Sequence, residues 1–582
     1  NLIEVSRAAH PPGSPEHDRV REYLIDRLRT LGLEPTVQET TSMLQSGEFL
    51  RAATVRNIVA RLPGTNSTGT IVLTAHYDGR ELSRGAGDDG VGVVTILEAL
   101  RAIQATEPLR NDVVVLLTDA EELGLLGARA FVDQHPLMAD VDLVLSVEMR
   151  GGGGPSVMFE TGMDGGWAVR EYAEASPRPF ANSLTYEVYK QLPNDTDFTP
   201  FRQAGAQGLN FAAIGRAHVY HQEYDEPANI SESTLQHHGV QLLASVRHFG
   251  GAELGVLDAP DPVYFRVPFV GLVVYPDAWV IPIGVLLLLT AAGTFLLVRR
   301  RGARVQGMLV GLGVSIVGAS LAFGAGTWLF GWLRGFHPEY GALHGSSFHA
   351  EGWYVMALTA AVFFLTTTLY FVARRWYGLA ELGFGAAVLP LLAALGATVA
   401  MPLGAMNLQW PVLGGLLAVA VASGVPARGR LRSVPWVLAV LLALPALVLL
   451  SPLVELLWLA MNFGLAPWLA VIATVMLLTL LPALDALREP NGWWAPVLGL
   501  AAAGAFVGVG IVAAEPSADR PAPSTLAYAL DRETGTATWA TQPVFGDDPA
   551  ADPARAWAVD RAGAPFGEAR SMDAYHPFLP EM

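Results

Sequence analysis

From Ala278 to Ala514 the chain is a series of long apolar runs joined by short loops that hold most of the charge in this region. A bilayer core about 30 Å thick is crossed by about 20 helical residues, and lipid offers backbone amides no partner outside the helix itself. This half is therefore expected to be a polytopic α-helical membrane domain. Eight spans are predicted, at roughly Ala278 to Val298, Met308 to Leu329, Gly352 to Ala373, Leu379 to Ala400, Leu408 to Val425, Pro435 to Leu450, Leu465 to Leu481 and Trp493 to Ala513. The stretch Leu453 to Asn462 is too short to cross alone and is expected to extend a neighbouring span or to re-enter.

Short arginine-rich loops stay cytoplasmic. Arg299, Arg300, Arg301 and Arg304 follow span one, Arg374 and Arg375 span three, Arg428, Arg430 and Arg432 span five, and Arg488 span seven; Arg334 is the exception in the other loops. The first 277 or so residues and the tail are thus expected outside the cytoplasm, at a bacterial plasma membrane or on the lumenal side of an organelle. Eight spans exceed what anchoring needs, so a second role for this half is expected.

Up to about Pro276 charged and apolar residues mix as in a soluble domain. Pro15 to Leu31, with Val20, Tyr23, Leu24, Leu28 and Leu31 near one face, reads as an amphipathic helix. Strand-like and helix-like runs then alternate: Ile71 to Ala75, Val91 to Ile103, Val113 to Thr118, Leu123 to Asp133, Leu143 to Val147 and Leu209 to Ile214. Such alternation predicts an α/β fold with a mostly parallel sheet between helices. Ligands of these sheets bind beyond the carboxyl ends of the strands, where His76, Glu121-Glu122 and Glu148 fall.

The net charge of −17 lies mainly outside the apolar half, and nothing resembles a basic groove, which excludes nucleic acid as a partner. The chain has no cysteine, so disulfides, thiolate zinc sites and a cysteine nucleophile are excluded together. Any metal must be held by imidazole and carboxylate.

Each polar motif has two readings. His76 and Asp78 in TAHYD close a strand, and an i, i+2 pair projects to one face, so Asp78 can brace a metal-binding imidazole; the plain alternative is a turn aspartate beside a strand-end histidine. Asp88 and Asp89 in GAGDDGVGVV precede a helix, where one serves as an N-cap and the other is free to bridge cations. Glu121 and Glu122 in LLTDAEELGLLGA lie where a strand gives way to a helix, so one can bind metal while the other acts as a base, or both are acidic residues favoured by the helix dipole. Glu148 ends a strand before a glycine run, and His221 in HVYHQEYDEP has Asp225 four residues on, with His218 as a competitor.

Taken in order, the HxD, GAxDD, EE, strand-end acidic and YHxxxD elements resemble the co-catalytic zinc aminopeptidase family that includes the secreted bacterial leucyl aminopeptidases. That resemblance implies a three-layer α/β/α zinc-peptidase sandwich and two Zn²⁺ per chain. It implies His76, Asp88, Glu122, Glu148 and His221 as metal ligands, with Asp88 bridging. Glu121 would be the general base that passes a proton to the leaving amine, with Asp78, Asp89 and Asp225 supporting the ligands from behind; Arg150, Asp195 and Asp197 are unassigned pocket candidates. The secreted members usually carry Asp at the position of Glu148. That Glu, the QLPNDTDFTPFR stretch from Gln191 to Arg202 and the multispan half resemble a narrower branch, the endoplasmic-reticulum and vacuolar membrane metallopeptidases with their bacterial relatives. Members usually begin with a membrane anchor, so sequence upstream of Asn1 is expected.

The expected organisation is a metallopeptidase domain over 1–258, a juxtamembrane segment over 259–277, the membrane domain over 278–513, and an extracytoplasmic tail over 514–582 with strands near Ser524 to Leu530 and Ala537 to Ala540. The expected function is a membrane-bound zinc metallopeptidase, an aminopeptidase hydrolysing peptides on the extracytoplasmic side. Two alternatives stand beside it: a transporter or receptor whose outer domain only binds ligand, and a one-zinc aminoacyl cyclase.

Overall fold

The computed structural model describes residues 1–517 apart from 48, 193, 256, 339, 341–342, 344–346, 425–432 and 487–492, and beyond them residue 523 and three short strands, Leu526–Asp531, Thr536–Thr541 and Ala569–Ser571. Arg428, Arg430, Arg432 and Arg488, used above to orient the spans, lie outside the described residues. The chain divides into two compact units, Asn1–Leu289 with Leu391–Trp410, and Thr290–Pro390 with Pro411–Met582.

The first unit is built on strands β1 (Thr36–Ser46), β2 (Phe49–Leu62), β3 (Thr70–His76), β4 (Asp112–Thr118), β5 (Val141–Met149), β6 (Gly153–Thr161) and β7 (Gln207–Gly215), in the sheet order β1-β2-β4-β3-β5-β7-β6. The central pairs β4-β3, β3-β5 and β5-β7 are parallel, and the edge pairs β1-β2, β2-β4 and β6-β7 are antiparallel. Every residue of β3 and β4 is buried, as expected of parallel strands covered on both faces.

Side chains alternate between the two faces with the period of a strand. Ile71, Leu73, Val113, Val115, Leu143 and Leu145 join a core with Leu24, Leu28, Ile96, Leu100, Tyr172, Val246 and Phe249, whereas Val72, Val114, Leu116 and Val144 pack with Phe131, Phe198 and Phe201. The first set comes from helices α2 (Pro15–Thr30), α3 (Gly92–Gln104), α5 (Gly166–Ala175) and α8 (Glu232–Gly251); the second comes from α4 (Leu126–Gln134) and α7 (Phe198–Gln203). The short α1 (Leu2–Val5) and α6 (Ser183–Tyr189) and the hairpin β8 (Pro262–Val267) and β9 (Gly271–Pro276) complete the series. The result is the expected three-layer α/β/α sandwich. Sequence reasoning did not foresee β1, β2 and β6, whose polar or glycine-rich patterns lack the apolar run of a central strand.

In the second half, six helical stretches are long and apolar enough to cross a membrane: Asp277–Arg300, Val305–Phe336, Glu351–Ala373, Leu379–Ala400, Trp436–Thr479 and Trp494–Ala514, with Met406–Ala422 as a shorter apolar helix. The stretch Trp436–Thr479 contains two helices, Ser433–Met461 and Ala466–Thr479, joined by a 3-10 turn at Asn462–Leu465. A helix thus stands at each of the eight predicted positions. Leu453 to Met461 continues the sixth helix rather than re-entering. Together with lipid-length helices, this makes the chain an integral membrane protein.

Candidate metal centre

The parallel strands end nearly flush, with His76 paired in register with Thr118 and Glu148 with Ala212. The polar residues therefore gather at one edge of the sheet. There they form two groups of convergent donor atoms, His76, Asp88 and Glu148, and Asp88, Glu122 and His221, each with its atoms within 4.8 Å of one another. Asp88 belongs to both: its Oδ1 is 3.1 Å from His76 Nε2 and its Oδ2 is 3.0 Å from His221 Nε2. Glu148 Oε2 stands 3.9 Å from His76 Nε2, and Glu122 Oε1 stands 3.2 Å from His221 Nε2. His221, not His218, enters a donor group among the described residues.

The loop carrying Asp88 is shaped from behind. Asp225 Oδ1 accepts the Gly87 N–H at 2.7 Å and its Oδ2 accepts that of Asp88 at 3.3 Å. A Cβ on Gly87 would come within 2.9 Å of Asp225 Oδ1 and 3.0 Å of Gly151 O, so only glycine permits this approach. Asp89, joined to Asp88 by a cis peptide, turns away and accepts the Gly92 N–H at 3.0 Å, capping α3. The two aspartates thus differ: Asp89 accepts a backbone N–H at the start of α3, while Asp88 faces both donor groups.

Asp78 reaches beyond the histidine. His76 Nδ1 lies 3.0 Å from the Asp78 carbonyl oxygen and 3.5 Å from its carboxylate, while that carboxylate also accepts the N–H groups of Glu121 at 3.0 Å and Glu122 at 3.2 Å. Asp78 thereby ties the histidine to the loop holding both glutamates. That loop is an irregular turn with Ala120 and Leu125 in left-handed conformation, and α4 begins only at Leu126 rather than at the predicted Leu123.

Several contributors carried no sequence signal. Arg80 Nε donates to Glu122 Oε2 at 2.7 Å, which leaves Glu122 Oε1 turned toward His221. A charged residue in a loop looks the same whether it is solvated or not. Buried His17 lies 2.9 Å from Asp119 and stacks on Tyr77, bracing the turn before Glu121. Tyr220 stacks on His221, whose backbone has φ +58°; a left-handed non-glycine residue stores strain that clusters at functional sites. Of the pocket candidates, Asp197 is buried and hydrogen-bonded to Thr118, Arg150 lies over the Tyr220 ring, and Asp195 is exposed.

Electrostatics fit a cation. Asp88, Glu122 and Glu148 converge beside Arg80 and two imidazoles, and buried like charges are costly without counterions. Burial raises Glu121 and Glu148 well above the usual carboxylate range, with neighbouring carboxylates adding to the effect. The two histidines hold Asp88 well below that range against its burial. His221 is raised to about 9 by Asp88 and Glu122, which outweigh its burial. Glu148 Oε1 is buried with no hydrogen-bond partner. Imidazole nitrogen and carboxylate oxygen are the donors zinc accepts in a cysteine-free site.

One consequence is measurable. Between about pH 6.5, where a free imidazole titrates, and about 9, metal-free His221 keeps a proton that a zinc ion held there would displace. Calorimetric titration at pH 8 in buffers of different ionisation enthalpy should report release of at least one proton per chain, and zinc affinity should rise with pH up to about 9. Proton-neutral, pH-independent binding contradicts this donor set.

Residues 57–246 match the family model described as Peptidase family M28. Over 260 residues the chain is 30% identical to endoplasmic reticulum metallopeptidase 1 of Mus musculus, covering 41% of this chain and 29% of that protein. It is 28% identical over 335 residues to the Homo sapiens protein of that name, covering 52% and 37%. It is 30% identical over 260 residues to a vacuolar membrane protease of Yarrowia lipolytica, covering 40% and 26%. The matched region thus spans well under half the length of these relatives. Among solved structures, an aminopeptidase from Aneurinibacillus sp. strain AM-1 aligns with TM-score 0.36 and 15% identity, covering 44% of this chain and 95% of that one.

Proposed function

We propose that this chain, whose residues 57–246 match the model of peptidase family M28, is a membrane-integral zinc aminopeptidase that hydrolyses peptides on the extracytoplasmic side. The observation that carries the reading is the pair of donor groups sharing Asp88. His76, Asp88 and Glu148 would hold one Zn²⁺, and Asp88, Glu122 and His221 a second. When bound, zinc supplies Lewis acidity and lowers the pKa of water at the site to about 7.

The remaining work falls to the chain's own residues. Glu121 is next in sequence to one ligand and has its proton affinity raised by burial, as suits a group that takes a proton from water and gives it to the leaving amine. Asp78 fixes the Glu121 backbone, so the base and His76 move together. Arg80 occupies one oxygen of Glu122 and offsets part of the negative charge. Loop arginines near the helices at Val280–Arg300 and Glu351–Ala373 favour an extracytoplasmic peptidase domain.

The test is digestion of a peptide library by the purified full chain with zinc. Sequential loss of N-terminal residues is expected, with N-acetylated peptides left intact. Equal cleavage of blocked peptides rules out an aminopeptidase, and no cleavage by a zinc-loaded chain rules out a peptidase. Because the chain lacks cysteine, a Ser67→Cys variant labelled in intact cells by an impermeant maleimide checks sidedness; protection from label contradicts it.

A further inference from the structure

The turn between the membrane helices Leu379–Ala400 and Met406–Ala422 belongs to the same compact unit as the sandwich, and it is hydrogen-bonded to α6. The Glu187 carboxylate accepts the N–H groups of Leu403 at 3.1 Å and Gly404 at 2.7 Å, at the start of the 3-10 turn Pro402–Gly404. Ser183, fully buried, donates its hydroxyl to the Leu403 carbonyl at 2.5 Å and accepts the Tyr264 N–H at 3.2 Å. Asn182, the N-cap of α6, faces buried Asn407 with amide contacts of 3.2 and 3.3 Å. Gly404 is buried, and a Cβ there would lie 2.4 Å from Leu184 Cδ1. A carboxylate bound to two backbone amides and a glycine required by close approach form a fitted contact.

What α6 carries gives the contact its meaning. Tyr189, at its end, packs its ring edge-on against Phe159 of β6, with centroids 4.8 Å apart. The following residues return to the sheet, where Thr196 Oγ1 accepts from Asn210 at 2.8 Å, and Asp197 bonds Thr118, the register partner of His76. Asp197 thus stands beside the His76 end of β3, and Thr196 against β7.

We propose that the Met401–Ala405 turn is a positioning element of the peptidase site: by holding α6 through Ser183, Glu187 and Gly404, it sets the positions of Tyr189, Thr196 and Asp197, beside which substrate binds. The membrane half then contributes to substrate binding as well as to anchoring. The inference rests on the peptidase reading above.

The experiment uses the full chain. A Cβ on Gly404 would lie 3.3 Å from that of Leu184, near the roughly 3.5–4.5 Å of a disulfide, and the chain has no native cysteine to interfere. Glu187→Ala should raise KM by about tenfold or more with kcat changed less than KM, zinc content unchanged, and faster hydrogen exchange across residues 183–199. In a Leu184→Cys/Gly404→Cys background, oxidation should link the two positions and return the KM of the Glu187→Ala variant to that of the oxidised parent; reduction should undo the rescue. The proposal is overturned by failure of the pair to link, by a wild-type KM in Glu187→Ala, or by a raised KM that oxidation does not correct. If the zinc-loaded wild type hydrolyses nothing, the peptidase reading fails instead, and the linking and exchange measurements still decide whether the turn holds α6.

Discussion

Replacing Glu121 by Gln is expected to lower kcat by roughly 10²–10⁴-fold while zinc content and fold stay as in the parent. Glutamine keeps the size of the side chain and lets the Glu121 N–H contact with Asp78 persist, but its amide cannot accept and release the proton. The residue belongs to neither convergent donor group, so its loss should not release metal. Metal analysis and steady-state kinetics on one preparation separate the two effects. Parent-like turnover with full zinc removes Glu121 from the mechanism; loss of zinc together with activity moves it into the ligand set.

Asp88→Ala is expected to cost more. Its two oxygens face the two histidines separately, so one truncation removes a donor from both groups and takes from His76 and His221 one of the carboxylates that offset their burial. Zinc affinity should fall at both positions by roughly 10²-fold or more, beyond the 10–100-fold typical of losing an outer support. Hydrolysis should fall below detection at zinc levels that saturate the parent. The zinc-induced rise in melting temperature should shrink with it, because stabilisation by a ligand follows its affinity. Glu148→Gln, which touches only the His76 group, should affect one metal position. Two tightly held zincs in Asp88→Ala would falsify the bridging assignment.

The sequence carried the parts of this site that depend on local pattern. Apolar runs of strand length located β3, β4, β5 and β7, and polar residues at their ends marked the edge where the site forms. The paired aspartates before α3 announced a cap plus a surplus carboxylate, and Asp89 and Asp88 divide those tasks. The edge strands were less legible: β1 and β2 pair with each other over eleven positions, and a half-exposed hairpin needs no apolar run. The helix starts at Leu126 rather than Leu123 because the preceding turn is held by the carboxylate of Asp78, more than forty positions away in the chain.

By itself, the sequence determined what can bind: imidazoles and carboxylates without thiols, spaced along a chain whose periodicities place them at strand ends and whose later half must lie in lipid. Local periodicity is enough for that, since burial of apolar faces acts residue by residue. Only the tertiary structure decided which donors meet, that Asp88 is common to both groups, that Arg80 takes one oxygen of Glu122, that Asp78 holds the glutamate loop, and that Glu187 grips the turn at Gly404. Those are contacts of 2.7 to 3.2 Å between residues 12 to 217 positions apart. Their geometry is fixed by how the strands register and the loops close, which no local pattern encodes.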